Sequence, residues 1–158
     1  MKQILHNPTN SGIIFPAEAL LPPKSFDWAA ELSIPVCIFK NSPLSSLEAI
    51  IKFLREEIGL PNRAIGYLIC RDERTVWGAY EDAKRKMATA LEWSTGPYDI
   101  PIHILRNRSL GVLEIISYFL KETFALRYCD IARLISRNDR TVWTSYHRAW
   151  RKMHGTEN

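Results

Sequence analysis

The sequence predicts a mostly α chain with two short strands, built as tandem duplicated strand-plus-three-helix units in a pseudo-twofold arrangement. Three observations carry this: a gapless internal repeat, apolar residues at helical spacing in each copy, and a short β-branched run opening each copy. Arg74-Thr75-Val76-Trp77 recurs as Arg140-Thr141-Val142-Trp143, an offset of 140 − 74 = 66. At that offset, 34–87 against 100–153 gives 25 identities in 54 positions. Self-similarity on this scale marks a repeated supersecondary unit.

The expected organisation is an N-terminal arm at 1–33, a first unit at 34–87, a linker at 88–99, a second unit at 100–153 and a tail at 154–158. The runs Ile34–Phe39 and Ile100–Leu105 read as strands, with Pro near the start marking a first or edge position. A lone strand is not stable, so the two are expected to pair, antiparallel as a twofold requires. Ser42-Pro43 and Ser109 read as helix starts. Leu44, Leu47, Ile51, Leu54 and Ile58 then recur at helical spacing, as do Leu110, Leu113, Leu120 and Phe124.

A second helix is expected over about Ala64–Ile69 and Asp130–Ile135. Polar turns at 71–73 and 137–139 lead to a third helix. Its apolar face is Val76, Tyr80, Ala83 and Met87, or Val142, Tyr146, Ala149 and Met153. That helix is expected to run on past 87 before Ser94-Thr95-Gly96-Pro97 breaks it as a linker. The Pro-rich arm is expected to hold one short helix near Asp27–Leu32.

Composition narrows the function. The 46% hydrophobic fraction supports a packed core, and no run of apolar residues is long enough to span a membrane. Cys37, Cys70 and Cys129 are odd in number and far apart, which points to reduced thiols and a cytoplasmic protein. No cysteine pair or His/Cys cluster suggests a metal, and no cofactor is expected. Neither a nucleophile–base set nor a phosphate-cradling Gly loop argues for an enzyme. Net charge is +4 with a pI near 9.0, unevenly spread. The first copy has nine basic and seven acidic residues, and the second ten basic and four acidic.

The segment from Asp130-Ile131-Ala132 through Thr141-Val142-Trp143 to Ala149 resembles the helix-turn-helix of sigma factor region 4 and the related output domains of response regulators. The first copy keeps Ile65, Leu68, Thr75-Val76 and Tyr80, and Arg85-Lys86-Met87 matches Arg151-Lys152-Met153. The resemblance covers about 25 residues per copy and implies a DNA-binding module. Two positions depart from the pattern. Cys70 and Ser136 stand where a turn glycine is usual, which suggests a different bend. Trp77 and Trp143 stand where a basic residue is frequent.

A recognition helix offers residues near its N-terminus to base edges while basic residues meet phosphates. With Val142 at the centre of the buried face, Arg140, Thr144, His147 and Arg151 fall on the opposite side. The same positions in the first copy are Arg74, Gly78, Glu81 and Arg85. The candidate DNA contacts are therefore Arg74, Thr75, Arg85, Lys86, Arg140, Thr141, Thr144, His147, Arg148, Arg151 and Lys152. Each has a plainer reading. Arg74 and Arg140 can cap the turn or pair with Asp72 and Asp139. Lys84-Arg85-Lys86 and Arg151-Lys152 can simply be solvated helix ends that favour positive charge. His147 can be an ordinary surface residue. Trp77 and Trp143 can stack on a base or wedge into a groove, but their angle from the core centre makes them read rather as caps on the core; Tyr80 and Tyr146 read as core, and Asn41 and Asn107 as turn or capping residues.

The expected function is DNA binding by a transcriptional regulator or nucleoid-associated DNA-organising protein, with double-stranded DNA as partner and the second copy the better reader. The alternative is a protein-interaction module for RNA polymerase or another protein.

Overall fold

A computed structural model describes residues 32–155. The arm, including the helix expected near Asp27–Leu32, lies outside the described residues except for Leu32 and Ser33. In chain order the elements are β1 (Ser33–Pro35), a 3-10 turn η1 (Val36–Lys40), α1 (Ser46–Glu56), α2 (Asn62–Ile69) and α3 (Glu73–Lys86). Then follow β2 (Asp99–Pro101), η2 (Ile102–Arg106), α4 (Val112–Phe124), α5 (Tyr128–Leu134) and α6 (Asp139–His154). The described chain is mostly helical, with one two-stranded sheet.

The strands are half the expected length. β1 pairs antiparallel with β2 in the register Ser33↔Pro101, Ile34↔Ile100, Pro35↔Asp99. Pro35 and Pro101 have no N–H for a ladder, and both chains turn into 3-10 geometry directly after them. The next amides still cross the seam: Val36 N–H donates to Tyr98 O at 3.2 Å and Ile102 N–H to Leu32 O at 2.9 Å.

η1 packs against α5 and η2 against α2, so each 3-10 turn reaches the middle helix of the opposite half. One continuous apolar core results. It runs from Ile34, Ile38, Ile50 and Leu54 through Ile65, Ile69 and Val76 to Ile100, Ile116, Leu120, Ile131 and Val142.

Helix starts are set by capping and not by the serines at 42 and 109. Ser45 and Glu48 form a reciprocal capping box that opens α1 at Ser46. Gly111 N–H donates to Glu114 Oε2 at 2.9 Å, and α4 opens at Val112. The middle helices begin two residues earlier than expected, at Asn62 and Tyr128. α3 does not continue past 87. Met87 takes an extended conformation, and the chain folds back to bury Leu91 and set Trp93 edge-on to Phe53 at 5.2 Å.

The segment that follows is held down. Buried Asn41 donates from Nδ2 to Glu92 O at 2.8 Å and accepts from Glu92 N–H at 2.8 Å. Cys37 Sγ donates to Ser94 O at 2.9 Å. Asn107 makes a local turn instead, its Oδ1 accepting from Ser109 N–H at 3.0 Å.

Candidate nucleic-acid interface

A left-handed residue stands in the turn before each third helix. Cys70 has φ 51° and Ser136 φ 50°, both in the left-handed region that a glycine would supply. The bend is therefore the one a glycine would make, against the expectation of a different path. After it, Asp72 Oδ1 accepts from Thr75 N–H at 2.8 Å, and Asn138 Oδ1 accepts from Thr141 N–H at 2.7 Å. Thr75 also donates its hydroxyl to Asp72 Oδ2 at 2.7 Å. The threonines read as DNA contacts thus sit in capped first turns. This leaves Arg74 and Arg140 pointing away: both are exposed and in no ion pair among the described residues.

The apolar face of each third helix is smaller than expected. Val76, Ala83, Val142 and Ala149 are buried. Tyr80 and Tyr146 are half-buried, with their hydroxyls on carboxylates from the first helix of the same half. Tyr80 donates to Glu56 Oε1 at 3.1 Å and Tyr146 to Glu122 Oε1 at 2.6 Å. The Glu122 bond, helped by burial, pushes the Tyr146 phenol up to about 12.

Trp77 and Trp143 do not cap the core. They are 57% and 49% exposed, because the four-residue helical step that buries Val76 and Val142 turns the next position outward.

The exposed face of α6 carries two adjacent stripes. Arg140, Thr144, Arg148 and Arg151 form a basic one, in which Thr144 donates its hydroxyl back to Arg140 O at 2.8 Å. None of these three arginines forms an ion pair among the described residues. Beside them lie Trp143, His147, Trp150 and His154. The Trp143 and His147 rings are 4.2 Å apart, and Trp150 and His154 stack at 4.6 Å. Trp150 and His154 were not singled out from the sequence, although 143, 147, 150 and 154 follow the spacing of a single helix face.

The C-terminal part of the matching face of α3 is neutralised. Arg85 is ion-paired with Asp82, and Lys84 Nζ lies 2.8 Å from Glu81 Oε1.

The two lysines expected to meet phosphates hold their own halves together. Lys86 Nζ lies 2.8 Å from Glu48 Oε1, and Lys152 Nζ 2.8 Å from Glu114 Oε2. Burial alone would raise these two carboxyls, but the lysines and the N–H groups of Ser45 and Gly111 outweigh it and hold both below the usual value.

Among the described residues no helix is long and apolar enough to cross a membrane, and no group of three His, Cys, Asp or Glu residues is placed to hold a metal. No family model matches the chain, and no curated protein or solved structure matches it.

Proposed function

We propose that this chain binds double-stranded DNA, as a transcriptional regulator or DNA-organising protein, through two recognition helices, α3 and α6. Each belongs to one of two duplicated strand-plus-three-helix units related by a pseudo-twofold at the Ile34–Ile100 pair. The observation that carries the reading is the face of α6, which presents Arg140, Thr144, His147, Arg148 and Arg151, with none of the three arginines ion-paired among the described residues. Arginine suits guanine and phosphate alike, and threonine suits a base edge or a thymine methyl. The capped turn and its left-handed residue support the same reading, as does the likeness of 130–149 to known helix-turn-helix segments.

A gel-shift titration against salt tests it. Arg140→Ala and Arg151→Ala are expected to weaken binding more than Arg74→Ala and Arg85→Ala, because Arg85 is already occupied by Asp82. A lost base contact costs about 1–3 kcal/mol, and a lost phosphate contact flattens the salt slope by about one unit. Equal losses in the two pairs, or no salt-dependent binding to any duplex, would sink the assignment.

A specific observation favours a second reading, a protein-docking helix for RNA polymerase or another protein. Trp143 and Trp150 are 49% and 44% exposed, about two turns apart on one face of α6, and exposed tryptophans are enriched at protein interfaces. Under that reading Trp143→Ala and Trp150→Ala abolish partner capture while leaving the DNA salt slope intact.

A further inference from the structure

Arg106 and Arg108 belong by sequence to the second repeat, yet η2 packs against α2 and delivers them to the turn of the first. There they meet Arg71. Arg106 Nε lies 3.3 Å from Cys70 Sγ, and Arg106 also sits over the Tyr67 ring at 5.7 Å. Arg108 Nη1 donates to Cys70 O at 2.5 Å, and Arg71 Nη1 approaches the same oxygen at 3.5 Å.

Three guanidiniums therefore converge on one residue of the turn that opens α3. None of them is in an ion pair among the described residues. Asp72 feels the charge of Arg108, but both its oxygens already accept from Thr75. Burial, and then the charge of Arg108, hold the Arg71 guanidinium below its ordinary value. Among the described residues the second turn has no such cluster. At an offset of 66, Lys40 and Ser42 stand for Arg106 and Arg108, and Arg137 is turned inward to donate to Leu44 O at 3.1 Å.

We propose that Arg71, Arg106 and Arg108 form a phosphate-binding clamp at the first turn, filled by a backbone phosphate of duplex DNA. Guanidiniums match phosphate oxygens with paired N–H donors, and the helix ahead of a recognition helix crosses the DNA backbone, which brings the turn between them beside it. The source of the phosphate rests on the DNA reading above; the clamp itself does not. Charge counted along the sequence as the second copy's therefore acts at the first, and the first half contributes phosphate contacts although the end of its own helix face is neutralised.

The full chain tests both parts. Inorganic phosphate is titrated while the side-chain Nε–Hε signals of arginine are followed by NMR. The signals of Arg71, Arg106 and Arg108 should move together and saturate, those of Arg74 and Arg140 should not, and Arg106→Ala/Arg108→Ala should abolish the response. Both residues are exposed, and circular dichroism checks that the double variant stays folded. Shifts spread evenly over all exposed arginines, or none, overturn the clamp.

In the second arm, duplex binding is measured against salt. The double variant should flatten the slope by about one unit, the value for one lost phosphate contact, and weaken binding at low salt. A phosphate response with an unchanged duplex slope overturns DNA as the source and leaves the DNA reading standing. A phosphate response with no duplex binding by the unaltered chain overturns the DNA reading and leaves the clamp as a site for free phosphate.

Discussion

Ile34 and Ile100 face each other at the centre of the antiparallel pair, each fully buried, and their registers are mirror images about that point. Pro35 pairs with Asp99 and Ser33 with Pro101, so each strand meets the counterpart of its own neighbour. The two positions are therefore equivalent. Ile34→Ala and Ile100→Ala should each cost about 2–5 kcal/mol, by similar amounts, in urea unfolding. A large loss at one and a negligible loss at the other would show that the seam is not symmetric.

Ser117 stands where the first half has Ile51, fully buried, and its hydroxyl has no hydrogen-bond partner among the described residues. An orphaned buried hydroxyl costs about 1–3 kcal/mol. Ser117→Ala should raise stability by about 1 kcal/mol, seen as a higher urea midpoint at unchanged slope. A lower midpoint would mean that the hydroxyl is satisfied.

Two glycines should respond in opposite directions to alanine. A Cβ on Gly66 would lie 2.5 Å from Arg71 O, at the turn whose Arg71 N–H donates to Gly66 O at 2.8 Å. Gly66→Ala should destabilise by about 1–3 kcal/mol as the turn is forced apart. Gly78 faces open space in the middle of α3, so Gly78→Ala should stabilise by about 0.5–1 kcal/mol. Thermal melts of the two variants should move apart.

The pH dependence has two limbs. The Tyr146 phenol is raised in the folded chain, so its contribution is fully present below about pH 10 and is lost as pH rises toward about 12. Glu48 and Glu114 are depressed, so theirs is present above 4.5 and lost as pH falls below it. Urea midpoints should fall on both sides. Tyr146→Phe should flatten the alkaline limb alone, and Lys152→Met should shrink the acid limb. An alkaline limb unchanged in Tyr146→Phe would assign it to another group.

The helices were legible in the sequence because helical order is local. Positions three and four apart share a face whatever the rest of the chain does, so Val76, Ala83, Val142 and Ala149 could be placed inward from spacing alone. The repeat also led to the expectation that the two β-branched runs pair antiparallel, and the two strands do. Their length was not legible: a β-branched run reads alike as a strand or as a buried 3-10 turn, and Pro35 and Pro101 end the ladder.

Only tertiary packing decided which half each side chain serves. η1 and η2 cross to the opposite middle helices, and that carries Arg106 and Arg108 away from their own repeat. It also decided that Lys86 and Lys152 are taken by Glu48 and Glu114, thirty-eight residues away in each half. Such pairings depend on contacts between residues far apart in the chain, and composition summed along a repeat carries no information about them. The sequence by itself determined the repeat, the helices and their buried faces; the fold decided where the charge stands.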